Sequence, residues 1–310
     1  PDPSSGIAAP QPMAAPSTLH RSLELAGTLP ALMVAADRVA ATVIQGVHGR
    51  RRVGQGDAFW QYRPYRDGDS ASQIDWRQSA RSRHLFVRET EWEAAASVWL
   101  WRDASPSMQY ASLKNIDTKA VRGELITLAL ASLLADAGER VAVLGGSMRP
   151  TSGRVAVRRV AETLFDETRD PTRVQPSLPP MVPLPAHGTI VLVSDWLDPL
   201  EKIEAIVRYY ASVGVRGHIV QVLDPAEEDL PFDGHVKFEG LEAEGQHTIR
   251  RVEAVRTAYG ARLAAQRDGL QRLARPANWT VHQHRTDRPP QTILLALYLA
   301  MADLRRLNAA

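Results

Sequence analysis

The chain has 310 residues, 44% of them hydrophobic and 23% charged, the make-up of an ordinary globular protein with room for one large domain or two modest ones. Its 37 basic and 35 acidic residues leave a net charge of only +2, too little for a global field that would gather nucleic acid. Having no cysteine, it has no disulfide, thiolate nucleophile or Cys-based zinc site, and the cytoplasm is the expected compartment.

Residues 1–28 are rich in Pro, Ser and Ala and read as an added remnant or a disordered tail, with Met13 a candidate native start. From Leu29 to Val47 apolar residues recur at spacings of three and four, which predicts a helix ending near Gly46 and Gly49. The following stretch, GRRRVGQGDAFWQYRPYRDGDSASQIDWRQSARSRHLFVRE, is dense in Arg, Asp, Gly and aromatics and predicts loops and short strands.

Beyond it the pattern alternates. Strands are expected at 97–102, 140–145, 189–194, 216–223 and 279–284, and helices at 118–137, 154–166, 198–213, 252–275 and 290–307. Continuous apolar strands between amphipathic helices predict an α/β fold, a mostly parallel sheet flanked by helices. Residues 167–188 are proline-rich and read as an extended connector, and 235–251 as a β-hairpin turning near Gly245. The division expected is a tail at 1–28, an N-terminal helix and Arg/Asp/Trp-rich segment at 29–92, and an α/β domain at 93–310 that includes the hairpin. The longest apolar runs, LITLALASLLA (125–135) and ILLALYLAMA (293–302), read as core helices. No run reaches the about 18–20 apolar residues that cross a bilayer.

The stretch SVWLWRDASPSMQY (97–110) carries the chemistry. Its apolar strand stops at Asp103, and Ser105 and Ser107 follow at two-residue spacing. In an open parallel sheet, ligands bind beyond the carboxyl ends of the strands. Asp195, in TIVLVSDW, stands at a second such end. Two carboxylates and two hydroxyls form a hard-oxygen set suited to Mg²⁺ or another divalent cation such as Mn²⁺ or Ca²⁺. The alternative is that these side chains only form turns and cap helices.

DASPSM resembles the metal-ion-dependent adhesion site of von Willebrand factor A domains. The run from Tyr65 to Arg81, with YR-x-GD and IDWR-x-SAR, and VRETE at 87–91 are similar to the bacterial family called domain of unknown function 58. The resemblance implies a Rossmann-like, von Willebrand factor A-type sheet preceded by a family-specific segment. It implies that Asp103, Ser105 and Ser107 bind the cation directly or through water and that Asp195 is the distant acidic ligand. Adhesion domains also use a Thr from a middle loop; Thr151, with Ser152 beside it, is the nearest candidate by chain order. Proteins of this kind are often encoded beside MoxR-type AAA+ ATPases, so the implied partner is such an ATPase or its client.

Other patterns carry less. VGQGDAF (53–59) lacks the third glycine and the Lys–Ser/Thr of a phosphate loop, and GGSMR (145–149) lacks the final glycine of a nucleophile elbow. His282 and His284 share a strand face with no acidic neighbour and read as surface residues. Between Gly46 and Glu91, nine Arg, six acids and several aromatics suit a compact insertion held by ion pairs, a protein-docking face or, disfavoured by the near-balanced charge, nucleic-acid binding. The function expected is thus a metal-dependent protein-interaction module and not an enzyme, because no spare carboxylate offers a general base. A metal-free scaffold and a metal-dependent hydrolase are the alternatives.

Overall fold

The computed structural model describes residues 33–44, 59–65, 74–81, 84–90, 97–147, 149–169, 176–239 and 245–308. The expected tail at 1–28 and much of the Arg/Asp/Trp-rich segment lie outside them. Residues 33–44 form helix α1, whose Ala36, Val39, Ala40 and Val43 make one apolar stripe facing the core. The Arg/Asp/Trp-rich segment supplies an antiparallel pair, β1 (Phe59–Pro64) and β2 (Phe86–Thr90), with one helical turn, α2 (Trp76–Ser79), between them.

From Ser97 onward strands and helices alternate as the apolar pattern predicts. They run β3 (Ser97–Arg102), α3 (Lys119–Asp136), β4 (Arg140–Val143), α4 (Gly153–Arg169), β5 (Thr189–Ser194), α5 (Leu200–Ser212) and β6 (Arg216–Leu223). A short helix, α6 (Pro225–Asp229), precedes the expected hairpin, β7 (Val236–Glu239) paired with β8 (Gln246–Ile249). Helix α7 (Val252–Ala274), strand β9 (Thr280–Arg285) and helix α8 (Pro290–Asn308) follow. Among the described residues no helix is long and apolar enough to cross a membrane.

Five strands pair in the order β4-β3-β5-β6-β9, all parallel. Successive side chains of a strand point to opposite faces, so a sheet covered on both sides must be apolar at every position. Val98, Leu100, Val191, Val193, Val220 and Val222 face α1, α3, α4 and α8, while Trp99, Trp101, Ile190, Leu192 and Ile219 face α5 and α7. In chain sequence the five strands lie 2-1-3-4-5. The order reverses direction between β3 and β5, and there the two flanking loops diverge and leave a crevice. Asp103 and Asp195 are the first residues past these two strands.

One close approach fixes the outer half of the sheet. A Cβ on Gly217 of β6 would stand 2.1 Å from the Trp279 ring, whose Nε1 donates to Val215 O at 3.1 Å. Gly217→Ala should therefore destabilise the protein by about 1–3 kcal/mol through overpacking, read as a lower urea midpoint.

Candidate cation and partner site

The strand β3 ends because Asp103 turns the chain. Its Oδ1 accepts from Ser105 N at 2.7 Å, an Asx turn that aims the next residues back over the strand ends. Its Oδ2 accepts from Ser194 Oγ, the last residue of β5, at 2.8 Å. Pro106 then starts a single 3₁₀ turn, Pro106–Gln109, which places Ser105 and Ser107 on one side, their Oγ atoms 3.1 Å apart. Ser107 Oγ donates to Asp195 Oδ2 at 2.9 Å. Ser105, Ser107 and Asp195 thus meet in one chain of contacts, with Asp103 behind them under the Ser105 turn.

Asp195 is held from several sides. Its backbone carbonyl accepts from Gln221 Nε2 at 2.9 Å, and its Oδ1 accepts from Leu197 N at 3.3 Å. The next residue, Trp196, adopts φ 55°, a left-handed conformation uncommon for a bulky side chain. That twist drops its indole into the core, where Nε1 donates to Val220 O at 3.0 Å.

Two further side chains complete the site. Lys119, the first residue of α3, is wholly buried. Its Nζ donates to Asp195 Oδ2 at 2.9 Å and to Glu227 Oε1 at 2.6 Å. Glu227 Oε2 in turn accepts from Asp224 N, closing the capping box of α6 beyond the end of β6. Asp224 also ties down the loop after β3 by accepting from Ser112 N at 2.9 Å. Three parallel strands therefore deliver carboxylates to one place: Asp103, Asp195 and the Asp224–Glu227 pair.

The electrostatics follow from burial. It pushes the Asp103 carboxyl up to about 6, despite the opposing hydrogen bonds from Ser105 and Ser194. Burial also raises Glu227, against the pull of Lys119. For Lys119 burial acts to lower the pKa, but the Asp195 and Glu227 carboxylates overcome it and hold the ammonium charged. One ammonium, paired with Asp195 and Glu227, stands among four carboxylates, so the site carries a formal excess of negative charge.

The donors suit a small hard cation. Oxygens in cis positions around Mg²⁺, each at 2.0–2.1 Å, lie about 3 Å apart. The Ser105–Ser107 and Ser107–Asp195 separations are 3.1 and 2.9 Å. Among the described residues no group of three or more His, Cys, Asp or Glu side chains is arranged to hold a metal ion without the hydroxyls.

Thr151 does not join them. After β4 the chain folds back along that strand's free edge, and Thr151 pairs antiparallel with Val141, accepting from Val141 N at 2.7 Å. Val141 is level with Val98, five residues before Asp103, which puts Thr151 on the order of 16 Å from the strand ends. Ser152 follows it there, at the start of α4. Chain order pointed to a middle loop, but the loop's return direction carries it to the wrong end of the sheet. The histidines also differ from expectation: His284 is buried, and His282 meets buried His218 through Thr280.

Lys119, Glu227, Ser194 and Gln221 were not singled out from sequence. Lys119 left a signal in its rarity, being one of four lysines among 37 basic residues. Asp224-x-x-Glu227 directly follows a buried strand, and the strand-end rule that found Asp103 and Asp195 applies equally to it. Ser194 and Gln221 point inward from strands and left none.

Residues 61–269 match the family described as "Protein of unknown function DUF58". Over 298 residues the chain is 25% identical to an uncharacterized protein of Mycobacterium bovis, covering 90% of this chain and 92% of that one. Uncharacterized proteins from two Mycobacterium tuberculosis strains match it to the same extent. A solved structure titled as an uncharacterized membrane spanning protein from Vibrio fischeri is 15% identical and covers 67% of this chain and 98% of its own, with a TM-score of 0.17.

Proposed function

The chain belongs to the DUF58 family, and from that premise we propose that it is a divalent-cation-dependent protein-interaction module of the von Willebrand factor A type. In this reading it works in the cytoplasm as an adaptor for a MoxR-type AAA+ ATPase, gripping an acidic side chain of the ATPase or of its client. The observation that carries the reading is the hydroxyl–hydroxyl–carboxylate chain of Ser105, Ser107 and Asp195, whose spacings suit cis ligands of Mg²⁺.

Ser105, Ser107 and Asp195 would hold the cation, with Asp103 behind the Ser105 turn. A bound Mg²⁺ would supply an open coordination position that a partner's Asp or Glu can fill, reversing the repulsion those buried carboxylates exert on an anion. The chain's own residues do the rest. The Asp103 turn and the 3₁₀ turn orient the two serines, and Trp196 fixes Asp195. Leu113 and Leu197, 50% and 44% exposed on loops at the same end of the sheet, offer apolar contact beside the charged centre.

A hydrolase has less support. Each carboxylate of the site is already engaged: Asp103 by Ser105 and Ser194, Asp195 by Ser107 and Lys119, Asp224 by Ser112 N and Ala226 N, Glu227 by Lys119 and Asp224 N. None stands over open space as a general base. A metal-free scaffold is favoured by one observation, the Lys119 ammonium that already neutralises Asp195.

The test is capture of the MoxR-type ATPase of the same organism on the immobilised chain, in magnesium and in excess EDTA. Magnesium-dependent capture is expected, falling about tenfold or more in EDTA, equivalent to 1.4 kcal/mol or more. Asp103→Asn with Ser105→Ala should abolish that dependence. Asn at 103 can still accept from Ser105 N and pair with Ser194, so charge is removed and the turn is kept. Undiminished capture in EDTA would leave the scaffold as the better account.

A further inference from the structure

Lys119 stands where a cation is least welcome. It is buried, which disfavours the charged form, and it opens a helix, whose N-terminal end is the positive pole. Its ammonium is sustained there by Asp195 Oδ2 and Glu227 Oε1, and one of these, Asp195 Oδ2, is the oxygen that Ser107 also contacts. The ammonium and a divalent cation therefore draw on the same carboxylate oxygen.

We propose that Lys119 is a resident counter-charge that holds the site in its metal-free state and weakens its grip on divalent cations, so that the site fills fully only together with an acidic ligand. The inference rests on the cation reading above and deepens it by making metal and partner binding mutually dependent. The physical reason is charge balance. Without a ligand, a dication must share Asp195 with an ammonium that cannot move to water, because Lys119 is enclosed and pinned to Glu227. The two positive charges repel at short range in a poorly screened site. A carboxylate arriving from a partner offsets that repulsion. Each ligand then raises the affinity of the other by the same factor, as linkage requires.

The asymmetry of the clasp supports this role over simple structural pairing. An ion pair kept for stability alone would be served by one carboxylate, and replacing such a pair by apolar groups is often neutral. Here Glu227 supplies a second anchor that is itself fixed by the α6 capping box, so Lys119 stays in place when Asp195 is drawn toward a cation.

The probe is Mn²⁺, titrated into the full chain and followed by the EPR signal of the free ion, with and without acetate as a minimal carboxylate. Wild type should bind weakly and tighten on addition of acetate. Lys119→Met should bind on the order of 100-fold tighter without acetate, since a unit charge has left the neighbourhood of the shared oxygen. Lys119→Arg, which keeps the charge, should stay near wild type. Because Lys119→Met leaves two carboxylates uncompensated and can compromise folding, Lys119→Met/Glu227→Gln is the companion variant, also expected to bind more tightly than wild type. Wild-type Mn²⁺ binding that neither Met variant tightens would overturn the role of Lys119 while leaving the cation site standing. Failure of every variant to retain Mn²⁺ at millimolar concentration would overturn both.

Discussion

Trp196→Ala should lower the free energy of unfolding by about 3–5 kcal/mol, the cost of removing a buried aromatic side chain that its surroundings cannot refill. The indole is 1% exposed, lies 6.3 Å from the Trp101 ring in a tilted arrangement, and donates its Nε1 hydrogen to Val220 O. Trp196→Gly removes one carbon more yet should be no worse than Ala. The backbone here sits at φ 55°, where an L-residue is disfavoured by about 1–2 kcal/mol and glycine is not. Urea titration of both variants gives the comparison; an Ala variant clearly more stable than the Gly one would contradict the strain. The functional consequence concerns Asp195, which shares this turn and loses the packing that orients it. Cation-dependent partner capture should therefore fall in both variants even where they remain folded.

Acid should destabilise the protein through two histidines on the sheet. His218 and His284 are buried, which lowers them to about 3 and about 4, with His282 and Arg216 lowering the first further and Arg122 the second. Both are neutral in the folded chain above those values, whereas in the unfolded chain they take up protons below about 6.5. Protons bound by the unfolded state alone favour unfolding. The loss begins as pH falls through about 6.5 and continues until the folded-state values are reached. Each histidine contributes up to about 1.4 kcal/mol per pH unit, so the pair removes roughly 4–5 kcal/mol by pH 4.5. Asp103, Glu124 and Glu227 are raised by burial and act in the opposite sense, since the folded state then binds the extra protons. The histidine part is isolated by comparison with His218→Asn/His284→Leu. That variant should lose less stability than wild type between pH 7.5 and pH 4.5 in urea melts, and an equal loss would show that these histidines are not the cause.

Much of this molecule can be read from its chain, for a reason visible at particular residues. Strands such as TIVLVS (189–194) are apolar from Ile190 to Val193 because both faces are covered, and that run stops at the carboxyl end of the sheet. Asp103 and Asp195 were legible as strand-end carboxylates on that ground alone, and so was their placement at the same end, since parallel strands share one carboxyl edge. Helices α3, α5, α7 and α8 lie within two residues of their expected ends because capping and apolar periodicity are local properties. Direction after a turn is not local. Nothing in RPTSGR says that the chain returns along the edge of β4, and that return removes Thr151 from the site. Nor does a sequence reveal which buried charges meet. Lys119 lies 76 residues from Asp195 and 108 from Glu227, and only the packing of α3 and α6 over the strand ends brings the three together. Residue types and strand ends, set by local burial, determined that carboxylates and hydroxyls gather at this edge; the ammonium among them was decided by tertiary contact, because an ion pair depends on distance in space.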